Sequence, residues 1–220
     1  MTQLFYLDAI ERSLHRFRRE FPAINNDLSM RREEFTGVMV DRIIEAYDFL
    51  NSLLIKDMNL FTPVGLYALL EMNHIVLCGR DRETRLQYFQ HVNETRKSFQ
   101  LRITPIKTWV IRNQDTENPY MLAAGFYSRM LARPQLFLEG NHRTGNILLN
   151  YLLISRNAFP YIIAPEHARR YLDVSGDIKF TDKEHTLDTA LRMPGHRRRF
   201  QSFLQTHSSG EFVTSRGRSW

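Results

Sequence analysis

The run Ile147-Leu148-Leu149-Asn150-Tyr151-Leu152-Leu153-Ile154 constrains this chain more than any other stretch. It is apolar nearly all the way round, and a helix with that pattern is stable only when most of its faces are buried. Immediately before it stands Gln135-Leu136-Phe137-Leu138-Glu139-Gly140-Asn141-His142-Arg143-Thr144-Gly145-Asn146, which puts a carboxylate, a Gly-Asn turn and an arginine at the start of that helix. The N–H groups of a first helical turn lack intrahelical acceptors and carry the positive end of the helix dipole, so such a start suits a phosphate. Gly140 permits a tight backbone approach, and Arg143 adds a forked donor for phosphate oxygens. Glu139 cannot face a phosphate favourably by itself. Mg2+, held by one or two carboxylates plus substrate phosphates, would reconcile the two.

Each residue also has a plainer reading. Phe137 suits a packing anchor, Glu139 an acid favoured at a helix start, and Asn141 a turn residue tolerating the left-handed conformation. Arg143 could make a surface ion pair worth under ~1 kcal/mol. Their combination ahead of a buried helix is what points to a site.

Apolar spacing along the rest of the chain predicts a mostly helical protein. Leu4, Leu7, Leu14 and Phe17 sit at helical intervals, and Ser29 is placed to cap a long helix reaching Leu54. Thr62-Pro63 opens another helix, a cap followed by proline at the first position, which should end near Cys78-Gly79. The charged stretch Asp81 to Phe99 reads as helix or irregular. Ile106-Lys107-Thr108-Trp109-Val110-Ile111 is a β-branched and aromatic run suited to a short strand or an apolar loop. Asn118-Pro119 starts a helix that Arg133-Pro134 stops. Phe159 to Ile163 reads as an extended connector, Pro165 begins a helix expected to close at Gly176, and Arg197 to Gln205 a last one.

The fold class expected is therefore all-α with a small β element. A length of 220 residues, 43% of them hydrophobic, can bury a sizeable core, and one domain over 1–206 is the simplest division. Within it the helices of 1–60 are expected as an appendage, and the Ser-, Gly- and Arg-rich 207–220 as a disordered tail. No apolar run approaches the ~18 residues that span a bilayer, so no membrane partner is expected. Neither a basic n-region nor a long apolar h-region opens the chain, and Cys78 is alone. These features suit a cytoplasmic protein, although a secreted effector without a cleavable signal would look the same.

The net charge of +6 raises the question of nucleic acid. The basic clusters at His15 to Arg19 and Arg192 to Arg199 read better as solvated helix faces, since no zinc-finger spacing, RNP-like motif or Gly-Xaa-Xaa-Gly clamp accompanies them. A nucleotide or an acidic protein partner accounts for the charge as well.

The segment 135–146 resembles the signature of the Fic (Fido) family, His-x-Phe-x-Asp/Glu-Gly-Asn-x-Arg-x-x-Arg. Phe137, Glu139, Gly140, Asn141 and Arg143 match at the right spacing. Gln135 stands at the position of the family's catalytic histidine, and Asn146 at that of its second arginine. The resemblance implies a mainly helical Fic fold with a β-hairpin flap, for which 106–111 is the available segment. It also implies ATP or another nucleotide with Mg2+ as ligands: Glu139 at the metal, Gly140, Asn141, His142, Arg143 and Asn146 at the phosphates, and transfer of AMP to a protein hydroxyl.

In the family the histidine accepts the proton of the attacking hydroxyl. A glutamine has no basic site near neutral pH, and general-base help is worth roughly 10²- to 10⁴-fold. His142 lies beyond Gly140-Asn141 and would have to swing back to replace it. Asn146 loses a charge-assisted contact to phosphate. The expectation is a degenerate Fic domain that binds a nucleotide, or a regulatory protein through the same groove, with weak or absent AMP transfer. The alternative is an active protein adenylyltransferase using ATP and Mg2+.

Overall fold

The computed structural model describes residues 3–28 and 30–215. In chain order they form strand β1 (Gln3–Phe5), helices α1 (Leu7–Asn26), α2 (Gly37–Ile55), α3 (Pro63–Cys78), α4 (Arg82–Gln87), α5 (Phe89–Arg112), α6 (Pro119–Leu131), α7 (Asn141–Ile154), α8 (Pro165–Phe180) and α9 (Thr186–His207), a 3-10 turn (Gly210–Phe212) and strand β2 (Val213–Ser215). The described residues are mainly helical with one two-stranded sheet. No helix among the described residues is long and apolar enough to cross a membrane.

Helix α7 is the centre. Ile147, Leu148 and Leu152 face one cluster with Ile10, Val40 and Phe126, while Leu149 and Leu153 face a second with Phe17, Tyr127 and Phe200. The helices of the first sixty residues, expected as an appendage, supply Ile10, Tyr47 and Leu50 to the first of these clusters. They are part of the core because their apolar stripes have no other surface on which to be buried.

Local chemistry set several helix starts as expected. Thr62 and Asn118 accept hydrogen bonds from the N–H groups of Gly65 and of Tyr120 and Met121, with proline at the first helical position of each. The capping role of Ser29 falls outside the described residues. Helix α2 starts later than expected, at Gly37, where the Thr36 side chain accepts from Met39 N at 3.3 Å.

Four further expectations are corrected. First, 106–111 is the last turns of α5 rather than a strand. Phe99, Ile103, Ile106 and Val110 recur at helical intervals and are all buried. Burying that stripe outweighs the few tenths of a kcal/mol by which β-branched residues disfavour helix. Trp109 then lies under the Arg129 guanidinium, 3.9 Å from its ring centroid.

Second, the β element joins the chain ends. Leu4 pairs with Thr214 and Phe5 with Val213 in antiparallel register, so 207–215 is built into the fold, and only 216–220 of the expected tail falls outside the described residues. Phe212 is buried, and Asn51 holds the Phe5 backbone at both N–H (2.8 Å) and carbonyl (2.9 Å). Two apolar side chains in a polar segment were enough to anchor it.

Third, α8 passes through Gly176 and continues to Phe180. The glycine serves close approach and not a cap, because a Cβ there would stand 3.0 Å from the Arg32 guanidinium. Fourth, α9 begins at Thr186, before the expected Arg197, and carries Pro194 within it.

Candidate functional site

A cavity of about 470 Å³ opens at the N-terminus of α7, and Gln135, Glu139, Gly140, Asn141, His142, Arg143 and Asn146 all line it. The structure thus brings these seven candidate site residues to one place, while Phe137 is buried in the core. The opposite side is formed by the non-helical segment 30–35, by α8, and by apolar side chains of α1 such as Leu14 and Phe17.

The loop between α6 and α7 is tied down by amides. Gly140 is the residue in the left-handed region, with φ 71°. Asn141, expected to tolerate that conformation, instead starts the helix and turns its side chain back. Its Oδ1 accepts from Phe137 N at 3.0 Å and its Nδ2 donates to Phe137 O at 2.8 Å. Phe137 is anchored by stacking on Phe99, with ring centroids 5.6 Å apart. From α3, the fully buried Asn73 donates to Glu139 O at 3.1 Å and to Thr144 Oγ1 at 3.0 Å. A Cβ at Gly140 would lie 3.2 Å from that same amide, so this is the close approach for which glycine is needed.

Helix α7 has no side-chain cap. Its first regular acceptor is Gly140 O, reached by Thr144 N at 2.9 Å. The N–H groups of Asn141, His142 and Arg143 precede that bond, which is the arrangement that attracts an anion.

The side chains divide into locked and free. Gln135 is locked, its Nε2 donating to Leu131 O at 3.1 Å, which extends the end of α6. His142 points inward, with Nδ1 3.2 Å from the Tyr127 hydroxyl, which lies 2.9 Å from the Tyr171 hydroxyl. Burial, reinforced by the positive charges of Arg32 and Lys179, pushes the His142 imidazole down to a pKa of about 3. It is therefore neutral at pH 7 and turned away from the loop. Burial pushes the Tyr171 phenol up to about 12, so that hydroxyl keeps its proton.

Asn146 belongs to a buried polar network. Its Oδ1 accepts from Tyr47 Oη and from Asn150 Nδ2, both at 3.4 Å, while Asn150 also grips the Tyr161 backbone at N–H and carbonyl, each at 2.8 Å. An arginine would not fit this network without displacing it. Arg143 donates to Val76 O at 3.3 Å; burial lowers its pKa, and the carboxylates of Glu33 and Glu139 oppose that. Glu139 is exposed at the rim and makes no ion pair among the described residues.

Sequence reasoning missed Asn73, Tyr127, Tyr171, Arg32 and Lys179. Asn73 carries a signal, an amide among Leu69, Leu70, Met72, Ile75 and Val76, because a buried polar group needs a partner. Arg32, Tyr171 and Lys179 reach the cavity, and Tyr127 reaches His142, only through chain folding.

No family model, curated protein or solved structure matches this chain.

Proposed function

We propose that the cavity binds the phosphates of a nucleotide at Glu139 to Arg143, in a degenerate Fic-type domain whose AMP transfer to protein hydroxyls is weak or absent. One observation supports the reading: the uncapped first turn of α7 and the residues Gln135, Glu139, Arg143 and Asn146 line one cavity. Backbone N–H groups supply the donors, so neither departure from the family pattern removes them.

Mg2+ fits this site in one way. Among the described residues no three His, Cys, Asp or Glu side chains converge on a metal position. Glu139, exposed and unpaired, would be the single carboxylate ligand, with phosphate oxygens and water completing the shell. The metal would supply charge neutralisation to the phosphates.

The chemistry lacks a base. Gln135 is held by Leu131 O, and His142 is neutral, half-buried and bonded to Tyr127. Neither can accept a hydroxyl proton from a bound target, which is why binding is favoured over transfer.

The test has two arms. Calorimetry with Mg-ATP and Mg-ADP should show saturable binding that Arg143→Gln weakens. Gln135→His should then raise self-modification, followed by intact mass, by something like the ~10²- to 10⁴-fold of general-base catalysis. Absence of any nucleotide binding at millimolar concentration would retire the reading. Efficient transfer by the unaltered protein would establish the active adenylyltransferase instead.

A further inference from the structure

Away from α7 the cavity is lined by two cations, Arg32 and Lys179, that make no ion pair among the described residues. Segment 30–35 is pinned by Asn25, which accepts from Arg32 N at 2.7 Å and donates to Arg32 O at 2.9 Å. From that fixed backbone the Arg32 side chain crosses to α8. Its guanidinium donates to Leu172 O at 3.3 Å and lies over Gly176, whose missing Cβ leaves the room. Lys179 is three residues beyond Gly176, on the same face of α8, and it too lines the cavity. Among the described residues neither cation has a carboxylate within ion-pairing distance.

Two buried nitrogens in this corner also lack partners, Arg32 Nε and His142 Nε2. When the His142 Nδ1 accepts from Tyr127, the ring hydrogen sits on Nε2, so both are donors. Buried donors without acceptors are destabilising, and so are like charges packed side by side. Lys179 shows the strain of the arrangement: burial, then the charges of Arg32 and Arg133, lower its pKa. The carboxylates of the lining, Glu33, Glu34 and Glu139, are exposed, and Glu33 offsets the Lys179 shift only in part, with none of the three in an ion pair with Arg32 or Lys179 among the described residues. What the corner lacks is an anion.

We infer that Arg32, Lys179 and His142 form a second anion subsite, so that the cavity takes a polyphosphate chain with one phosphate at the α7 N-terminus and a further one at Arg32 and Lys179. The inference rests on the proposed phosphate site and adds the class of ligand, a nucleoside di- or triphosphate or an inorganic polyphosphate in preference to a monophosphate. It also places the positive charge absent at Asn146 on two other elements, segment 30–35 and α8. Both lie within one cavity with Asn146.

The test compares orthophosphate, AMP, tripolyphosphate and ATP by calorimetry and by thermal shift, on the full chain. Tripolyphosphate and ATP should bind at least tenfold more tightly than orthophosphate and AMP. Lys179→Met and Arg32→Gln should each remove roughly tenfold or more of that preference, as expected for loss of a charge-assisted bond. Lys179→Arg should retain it, and orthophosphate and AMP affinity should change less than twofold in all three.

Equal binding of short and long anions, or a preference that survives both Lys179→Met and Arg32→Gln, overturns the subsite and leaves the α7 reading intact. Tripolyphosphate binding that needs Lys179 but is indifferent to Arg143→Gln keeps the subsite and retires the α7 reading. No binding of any of the four retires both. Tripolyphosphate binding as tight as that of ATP identifies the chain itself as the recognised group, and tighter ATP binding adds the nucleoside.

Discussion

The two sides of the cavity differ in how their polar groups are satisfied. On the α7 side, amides hold backbone and one another: Asn73 on Glu139 and Thr144, Asn141 on Phe137, Asn150 on Tyr161 and Tyr47. On the α8 side, Arg32 and Lys179 lie close to one another with no ion pair among the described residues. The first side is held together by bonds whose loss strands buried groups, and the second is left open by groups that repel. Substitution on the first side should therefore cost stability, and on the second should cost binding alone.

The largest effect belongs to Asn150→Leu. It strands Tyr161 N–H and leaves Tyr161 C=O and the Tyr47 hydroxyl with only their 3.4 Å bonds to Asn146. A buried group left unpaired costs roughly 1 to 3 kcal/mol, so urea denaturation should show a loss of about 3 kcal/mol. A loss below about 1 kcal/mol would break the distinction between the two sides.

His142, where the two sides meet, is tested by pH. Its folded pKa is depressed from 6.5 to about 3, so the folded state refuses a proton that the unfolded chain accepts. Its contribution to stability is complete above pH 6.5 and is lost as pH falls toward 3. At about 1.4 kcal/mol per pH unit per proton, the protein should lose ~2 kcal/mol more between pH 7 and 5 than the His142→Gln variant does. Parallel stability curves for the two proteins would show that the ring is hydrated and not enclosed.

Asn141→Ala removes both bonds to Phe137 and should cost about 2 kcal/mol. It should also release the loop, so phosphate binding would fall together with stability. Retained phosphate affinity in a destabilised protein would separate the loop amide from the anion site.

The smallest effect is expected from Lys179→Met. Its chemical denaturation midpoint should stay unchanged or rise slightly, within about 0.5 kcal/mol of the parent, because the substitution removes a repulsion and keeps the apolar stem. A marked destabilisation would mean that Lys179 is a structural cation after all, and the contrast between the two sides would fail.

Much of the helical framework was legible in the sequence because the signals are local. Thr62-Pro63 and Asn118-Pro119 start helices through their own side chains and rings, and the run after Asn146 could only be a buried helix. The misreadings share a physical cause. At 106–111 the β-branched content spoke for a strand, but Phe99, Ile103, Ile106 and Val110 were already spaced for one helical face across Pro105. At 207–215 composition spoke for disorder, while Phe212 and the pairing with Gln3–Phe5 hold the segment from more than two hundred residues away in sequence. Gly176 was read as a helix end because nothing near it in sequence shows that Arg32 lies across it.

The same division holds at the site. The sequence by itself determined that Glu139, Gly140, Asn141 and Arg143 stand at the start of a buried helix, since adjacency along the chain and the dipole of the following turns require no knowledge of the fold. Only the tertiary structure decided that His142 turns inward to Tyr127, that Asn146 is held beside Asn150 and Tyr47, and that Arg32 meets α8 near Lys179. Those contacts join residues up to about 150 positions apart, and what selects them is burial and the need to place every polar group, which no local pattern encodes.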